Sequence, residues 1–441
     1  MFSDRSSLKA LVLRGSVWTI VGHGTGQLLR LVRSLILTRL LFPEAFGVMS
    51  LVWVVMYGLE MLSDVGLGPA IIRDTRGEDP NFLNTAWTMQ AIRGVVLWIA
   101  SCLIASPMAN FYVEPDLANL IPVAGLVAVI SGFNSTALFT CRRHMAYGRL
   151  VLLDLSNEVV SFVVSVLWAF LYPTVWALVG GALIGRLFLT LASHTFLPGI
   201  RNRFRWEPSS LNILIGFGKW ILLSSAFQFL SLQSDRMLLG HYLDMAHLGV
   251  YSIAITLSDA VQSLVIKINH GVLFPAYGNI LQQEAHRLRT VFHRARLGID
   301  VVLILPISVL MILGSRLVGL LYDQRYQDSG WMLQVLCVRL LMTSVLSNSE
   351  ACLVALGHPR YAFIQSACRA IWILVSIPIG WYVAGIKGVV WAVALSEVPV
   401  AGVLWVGLVR QRMLSLQSEL RSLLAVGLGS LLGLGLLQLL R

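Results

Sequence analysis

The sequence predicts an all-α polytopic membrane protein made of two six-helix bundles related by a parallel repeat, with an extra C-terminal hydrophobic helix. Three observations carry this. Hydrophobic residues make up 57% of the 441-residue chain and charged ones only 12%, with mean hydropathy +0.77; a soluble domain is about 25% charged. Apolar runs long enough to cross a hydrocarbon core of roughly 30 Å recur along the chain, and in lipid such runs must be helices, because every backbone N–H and C=O has to be paired internally. Finally, the second half of the chain echoes the first.

The apolar segments fall at 12–41, 44–71, 82–112, 117–141, 148–171, 174–198, 213–240, 246–276, 295–321, 330–356, 361–384, 388–409 and 423–440. Alternate connections are basic: Arg5/Lys9/Arg14, Arg73/Arg76, Arg142/Arg143/Arg149, Arg201/Arg203/Arg205, Arg287/Arg289/Arg294/Arg296, Arg360 and Arg410/Arg412/Arg421. The connections between them hold Glu44, Glu114 and Asp116, Tyr172–Pro173 and Asp244, with Arg39, Arg325 and Lys387 as isolated exceptions. By the positive-inside rule the basic loops and the N-terminus are cytoplasmic. The apolar stretch after the basic Met1–Arg14 is too long for a cleaved leader and is expected to remain as an anchor.

The repeat follows from an offset that places Gly47 on Gly249, Val48 on Val250 and Ser50 on Ser252, and that drops Arg33 onto Asp235. NFYVEPDL (110–117) then parallels LLYDQRYQ (320–327), and MAYGRL (145–150) parallels PRYAFI (359–364). An even number of helices per half keeps both halves in one orientation, an arrangement found in transporters. The expected organisation is an N-terminal bundle (1–200), a polar cytoplasmic linker (201–212), a C-terminal bundle (213–412) and the extra helix (413–441).

The formal charge of +11 is topogenic arginine rather than a nucleic-acid surface, and anionic lipid is its natural partner. The five cysteines lie in or beside apolar segments with no C-x-x-C pair, so they read as small core residues. The nine histidines form no H-E-x-x-H, and no metal or cofactor is expected. GHGTG (22–26) sits inside an apolar helix, so Gly22 and Gly26 point to close helix packing rather than a phosphate loop.

The runs ILTRLLFPEAFGVMSLV (36–52), LSDVGLGPAIIR (62–73) and FGKWILLSSAFQFLSLQSDRMLLGHYLDMAHLGVYSIA (217–254) resemble polysaccharide transporters of the Wzx type. These belong to the superfamily that also holds multidrug (MATE) exporters and lipid II flippases. The resemblance implies flipping of an undecaprenyl-pyrophosphate-linked oligosaccharide across the bacterial inner membrane by alternating access. A proton or sodium gradient is the candidate energy source, and a polysaccharide polymerase and co-polymerase are candidate partners.

Charges inside the membrane cost at least about 2.5–3.5 kcal/mol each, so each needs a partner, a cavity or a ligand. The candidate pyrophosphate or cavity residues are Arg30, Arg33, Arg93, Arg186, Asp235, Arg236, Arg339 and Arg369, the arginines because guanidinium forms bidentate, charge-assisted bonds without titrating. A subset of the arginines is expected to line a central cavity. Arg30 and Arg33 share a helix face, with Glu60 of the next helix the candidate counter-charge for Arg30. The candidate ion-coupling carboxylates are Glu60, Asp64, Asp154, Glu158 and Asp259; the i,i+4 pairs Glu60/Asp64 and Asp154/Glu158 put like charges on one face. Asp300, Glu350 and Glu397 are the other intramembrane acids. The alternative reading is an ion-coupled small-molecule exporter of the same superfamily, which would favour a cavity with acids dominant where arginine dominates here. A more distant one is a membrane polymerase, ligase or acyltransferase, which needs a long external loop or domain and a nucleophile–base set.

Overall fold

The computed structural model describes residues 5–63, 66–269, 273–283 and 285–439. Regular structure among them is helical: α1 (Arg5–Leu40), α2 (Pro43–Met61), α3 (Leu67–Arg73), α4 (Pro80–Tyr112), α5 (Leu117–Gly132), α6 (Ala137–Arg143), α7 (Tyr147–Leu171), α8 (Trp176–Thr195), α9 (Pro208–Tyr242), α10 (Met245–Ile268), α11 (Phe274–Gln283), α12 (Leu288–Ile299), α13 (Leu305–Leu321), α14 (Ser329–Ala355), α15 (Arg360–Ala394), α16 (Glu397–Arg410) and α17 (Leu416–Leu439). Every predicted apolar segment lands on one or two of these. Nine segments among the described residues are long and apolar enough to cross a membrane, or up to ten with the bent pair α5–α6 (59°). The long α1 and α9 carry more charge and polar residues along their length.

Two compact units divide the chain at Ala226/Phe227, inside α9. Helix starts preserve the repeat between them: Met245 opens α10 202 residues after Pro43 opens α2, Ser329 opens α14 212 residues after Leu117 opens α5, and Arg360 opens α15 213 residues after Tyr147 opens α7. Helix starts follow local chemistry. Pro43 and Pro80 occupy first-turn positions where the missing N–H costs nothing, and Asp79 caps α4 by accepting from the Asn81 N–H at 3.1 Å.

Two segments read as loops are ordered otherwise. The linker 201–207 has no helix, yet the backbone N–H groups of Arg203, Arg205 and Glu207 donate to Asn84 (2.9 Å), Thr88 (3.0 Å) and Thr85 (3.2 Å) of α4, and Phe204 packs on Trp87 with ring centroids 4.8 Å apart. The linker is a strap laid along the first unit. Arg296, grouped with the loop arginines, is instead 1% exposed within α12, where its Nε donates to Ser422 Oγ at 3.3 Å. The 3.6-residue spacing of Leu288, Phe292, Arg296 and Ile299 buries one face of that helix. Arg143, expected to be topogenic, also caps α3, donating to the carbonyls of Ile71 (2.9 Å), Ile72 (3.1 Å) and Asp74 (2.5 Å).

In the second unit α15 is two helices joined at Ala384 (φ −144°) and Gly385 (φ 55°, ψ −137°), a conformation open to glycine. The chain turns back there, and Gly380 and Gly388 meet backbone to backbone: a Cβ on Gly388 would lie 2.0 Å from the Gly380 carbonyl oxygen. The final segment forms α17, which packs on α13 with Gly429 against Ser308 and Gly433 against Ile312.

Gly388→Val should force these two arms apart at a cost on the order of 3 kcal/mol, seen as a lowered thermal midpoint of the detergent-purified protein. In the connection before α10, Asp244 accepts from the His247 N–H at 2.8 Å. Partial burial pushes its carboxyl up, but the hydrogen bonds from the His247 backbone and ring outweigh this and hold it below its ordinary value. Its contribution is therefore present above the ordinary carboxylate range and is lost as pH falls through the lowered pKa. Asp244→Ala should cost about 1 kcal/mol at neutral pH, and thermal-shift curves of the two proteins should converge in acid.

Candidate functional site

In the first unit the charged residues meet along the contact between α1 and α7. Contacts advance in one direction on both helices: Gly22 faces Val151, Gly26 faces Leu155, Arg30 reaches Glu158 and Arg33 reaches Ser161. The helices therefore run parallel. Gly22 permits the approach, since a Cβ there would lie 2.2 Å from Val151 Cγ1. Two turns further, Arg30 Nη1 pairs with Glu158 Oε1 at 2.5 Å, and Arg33 Nη1 lies 4.0 Å from Glu158 Oε2 and donates to Ser161 Oγ at 3.0 Å. Arg30 Nε also donates to Gln27 at 3.0 Å. The partner of Arg30 is thus Glu158 rather than Glu60, because the helix that packs along this face is α7 and not the next in sequence.

Two guanidiniums share one carboxylate here, so the cluster keeps one net positive charge. It is also partly open: the side chains of Arg30, Arg33 and Glu158 are 38%, 30% and 21% exposed. Elsewhere in this unit Arg93 donates to Ser63 Oγ (2.9 Å) and to the Glu60 carbonyl (2.7 Å), tying α4 to the end of α2 and leaving the Glu60 side chain exposed. Asp154 is exposed, one turn before Glu158, and Arg186 is half-buried on α8. Asp64 lies outside the described residues, as does the Asp300 side chain.

The second unit gathers its candidates into two groups. Asp259 of α10 lies between two arginines, with Arg236 at 2.9 Å and Arg339 at 3.4 Å; Gln262 accepts from Arg339 at 3.3 Å. Asp235 is 3% exposed and accepts from Tyr251 Oη at 2.8 Å, a partner not foreseen from sequence. The other group joins α15 to α16: Arg369 faces the buried Glu397 through two contacts of 2.9 Å, and its Nη1 donates to Ser231 of α9 at 3.3 Å. Glu350 is half-buried on α14. Among the described residues no group of three or more His, Cys, Asp or Glu could hold a metal ion.

The arrangement offers guanidiniums for an anion and half-exposed carboxylates beside them. Residues 36–330 match the polysaccharide biosynthesis protein family. The chain belongs to that family. The lipopolysaccharide biosynthesis protein WzxC of Escherichia coli (strain K12) is 23% identical over 89% of this chain and 80% of that protein. The succinoglycan biosynthesis transport protein ExoT of Rhizobium meliloti (strain 1021) is 21% identical over 90% and 80%. The fold is shared with the lipid II flippase MurJ in an inward closed conformation (TM-score 0.70, 12% identity, 97% of this chain and 100% of that one). It is shared too with an inward-facing MATE family transporter of the MOP superfamily (TM-score 0.68, 16% identity, 88% and 94%). The family member described here is a multi-pass membrane transporter of the Wzx type acting in polysaccharide biosynthesis, not an enzyme.

Glu158→Gln should destabilise the first unit by about 1–3 kcal/mol by leaving two neighbouring cations without their shared carboxylate. Adding Arg30→Gln should recover part of the loss. A double-mutant cycle on thermal stability should return a coupling of about 1 kcal/mol, and strict additivity would show the pair to be energetically idle.

Proposed function

We propose that the protein flips an undecaprenyl-pyrophosphate-linked oligosaccharide from the cytoplasmic to the periplasmic leaflet of the bacterial inner membrane by alternating access, serving exopolysaccharide, capsule or O-antigen synthesis. The N-terminus and the basic loops face the cytoplasm, where arginines meet anionic lipid. The similarity to WzxC, a lipopolysaccharide biosynthesis protein, and to ExoT, a succinoglycan biosynthesis transport protein, supports the glycan class.

The observation that carries the reading is the Arg30–Arg33–Glu158 cluster. A pyrophosphate offers more acceptor oxygens and more negative charge than one carboxylate, so it competes for both guanidinium forks and takes up the cluster's surplus positive charge. Because the cluster is half-exposed, its side chains exchange partners without the full cost of opening a dry ion pair. Once displaced, Glu158 is a carboxylate without its cation and one turn from Asp154, which makes these two, with Glu60 and Asp259, the candidates for proton or sodium coupling. Arg93, Arg186, Asp235, Arg236, Arg339 and Arg369 are the further candidates along the route of the head group. The polymerase and co-polymerase that consume the flipped product are the expected partners. A surplus of arginine over acid near the cluster is the wrong sign for an exporter of organic cations.

Proteoliposomes carrying a fluorescent polyprenyl-pyrophosphate sugar, read by quencher access from outside, test this. The wild type should accelerate flipping, and Arg30→Gln/Arg33→Gln should lose at least about tenfold, equivalent to 1.4 kcal/mol, at unchanged abundance. Acceleration retained in the double variant would move the pyrophosphate site away from these arginines.

A further inference from the structure

The strap that follows α8 carries three arginines at alternate positions, Arg201, Arg203 and Arg205. We propose that they form one fixed binding row for anionic phospholipid headgroups. The proposal narrows the general attraction of basic loops for anionic lipid to a single site; it rests on the membrane orientation given above and not on flipping.

The row follows from the path of the strap. Its donors to α4 come from every second residue, the N–H groups of Arg203, Arg205 and Glu207, which is the mark of an extended chain with a two-residue period. The even-numbered side chains turn to the first unit. Ile200 packs against the cluster of Leu67, Ile71 and Phe82. Asn202 donates to Thr136 Oγ1 at 2.8 Å and accepts from Ser135 Oγ at 3.2 Å, and Phe204 lies on Trp87. The odd-numbered side chains are therefore turned outward, and all three arginines are exposed. Alternate residues of an extended chain lie roughly 6.6 Å apart, so the row spreads its guanidiniums over roughly 13 Å.

The charge of this row is uncompensated. Among the described residues none of the three arginines has an ion-pair partner. The strap's own acid, Glu207, is taken by Arg76 at 3.8 Å and by the Ser210 hydroxyl. Like charges held in a row on a pinned backbone repel one another, and a set of phosphates relieves this while accepting bidentate guanidinium bonds.

Depth and neighbouring side chains identify the anion. The 33 residues of α4 give a length of roughly 50 Å against roughly 30 Å for the hydrocarbon core. Roughly 10 Å at each end therefore stands in the headgroup layer. Asn84, Thr85 and Thr88, which hold the strap, lie roughly 6–12 Å from the start of α4, at the boundary between headgroups and hydrocarbon. Phe204 and Trp206 are 68% and 53% exposed there. Aromatic rings interleaved with cations suit that boundary, whereas a water-soluble acidic partner would leave them in water.

The strap is held by backbone N–H groups and by Asn202, so replacing the arginine side chains tests the row and not the fold. Native mass spectrometry of the delipidated full chain, titrated with phosphatidylglycerol or phosphatidylcholine, reads it out. Each arginine near an anionic surface contributes about fivefold, so the wild type should retain phosphatidylglycerol about a hundredfold better. Arg201→Gln/Arg203→Gln/Arg205→Gln should lose most of that preference, and Arg201→Lys/Arg203→Lys/Arg205→Lys should keep most of it. Arg287→Gln/Arg289→Gln/Arg294→Gln, an equal change of charge in the second unit, should leave the preference in place. Equal losses in the two glutamine variants would leave only the general attraction and overturn the fixed site. No preference in the wild type would overturn both the site and that attraction. Displacement of the lipid by equimolar inorganic pyrophosphate, or tighter retention of a polyglutamate peptide, would overturn the site in favour of a soluble phosphate compound or an acidic protein respectively.

Discussion

A charge carried into hydrocarbon must find a counter-charge or hydrogen-bonding groups there, and much of the described side-chain order of this protein follows from that requirement. Arg30 joins α1 to α7, Arg369 joins α15 to α16 and touches α9, and Asp259 draws Arg236 and Arg339 together from α9 and α14. Each solution links helices from different spans. Apolar packing alone is a weak discriminator among helices when lipid tails are as apolar as leucine. The ion pairs add registration: a parallel α1–α7 contact with Glu158 opposite Arg30 admits one alignment and penalises a slip of a turn.

The same chemistry serves two ends according to its exposure. Arg369 and Glu397 form a nearly dry, two-contact pair, with Glu397 only 1% exposed. Separating them would strand a charge, so the pair is a brace. The Arg30–Arg33–Glu158 cluster is partly open and electrically unbalanced, so exchanging a partner there costs less than in the dry pair, although the pair also registers α1 against α7. Similar ion pairs thus differ in how easily they open, according to their exposure.

Much of the fold was legible because its cause is local. Apolar runs must be helices in lipid, and the repeat appears in residue spacing. The break at Ala384/Gly385 was legible only as a segment end, and the one at Phe133–Thr136 falls inside the predicted segment 117–141 and was not legible. The burial of Arg296 was not legible, since a loop charge and a buried helical one look alike until a partner is known. The site was half legible: the arginines stood out as charges in apolar runs, but Glu158 sits 128 residues from Arg30. Sequence reasoning favoured the adjacent helix, and adjacency in sequence is a poor guide when the first helix of a bundle packs on its fifth.

The two halves of the repeat differ in the polarity of their charges. In the first unit the cations stand on α1 and the carboxylate on α7; in the second, α9 carries Asp235 where α1 carries Arg33, and α15, the counterpart of α7, carries Arg369. The helical scaffold recurs without the sign of the charge at each matched position. The ion pairs described above close within a unit, so a change of charge in one copy can be offset by a neighbour in that copy. A common packing plan can therefore carry two different electrostatic characters, an asymmetry of chemistry within a repeated shape.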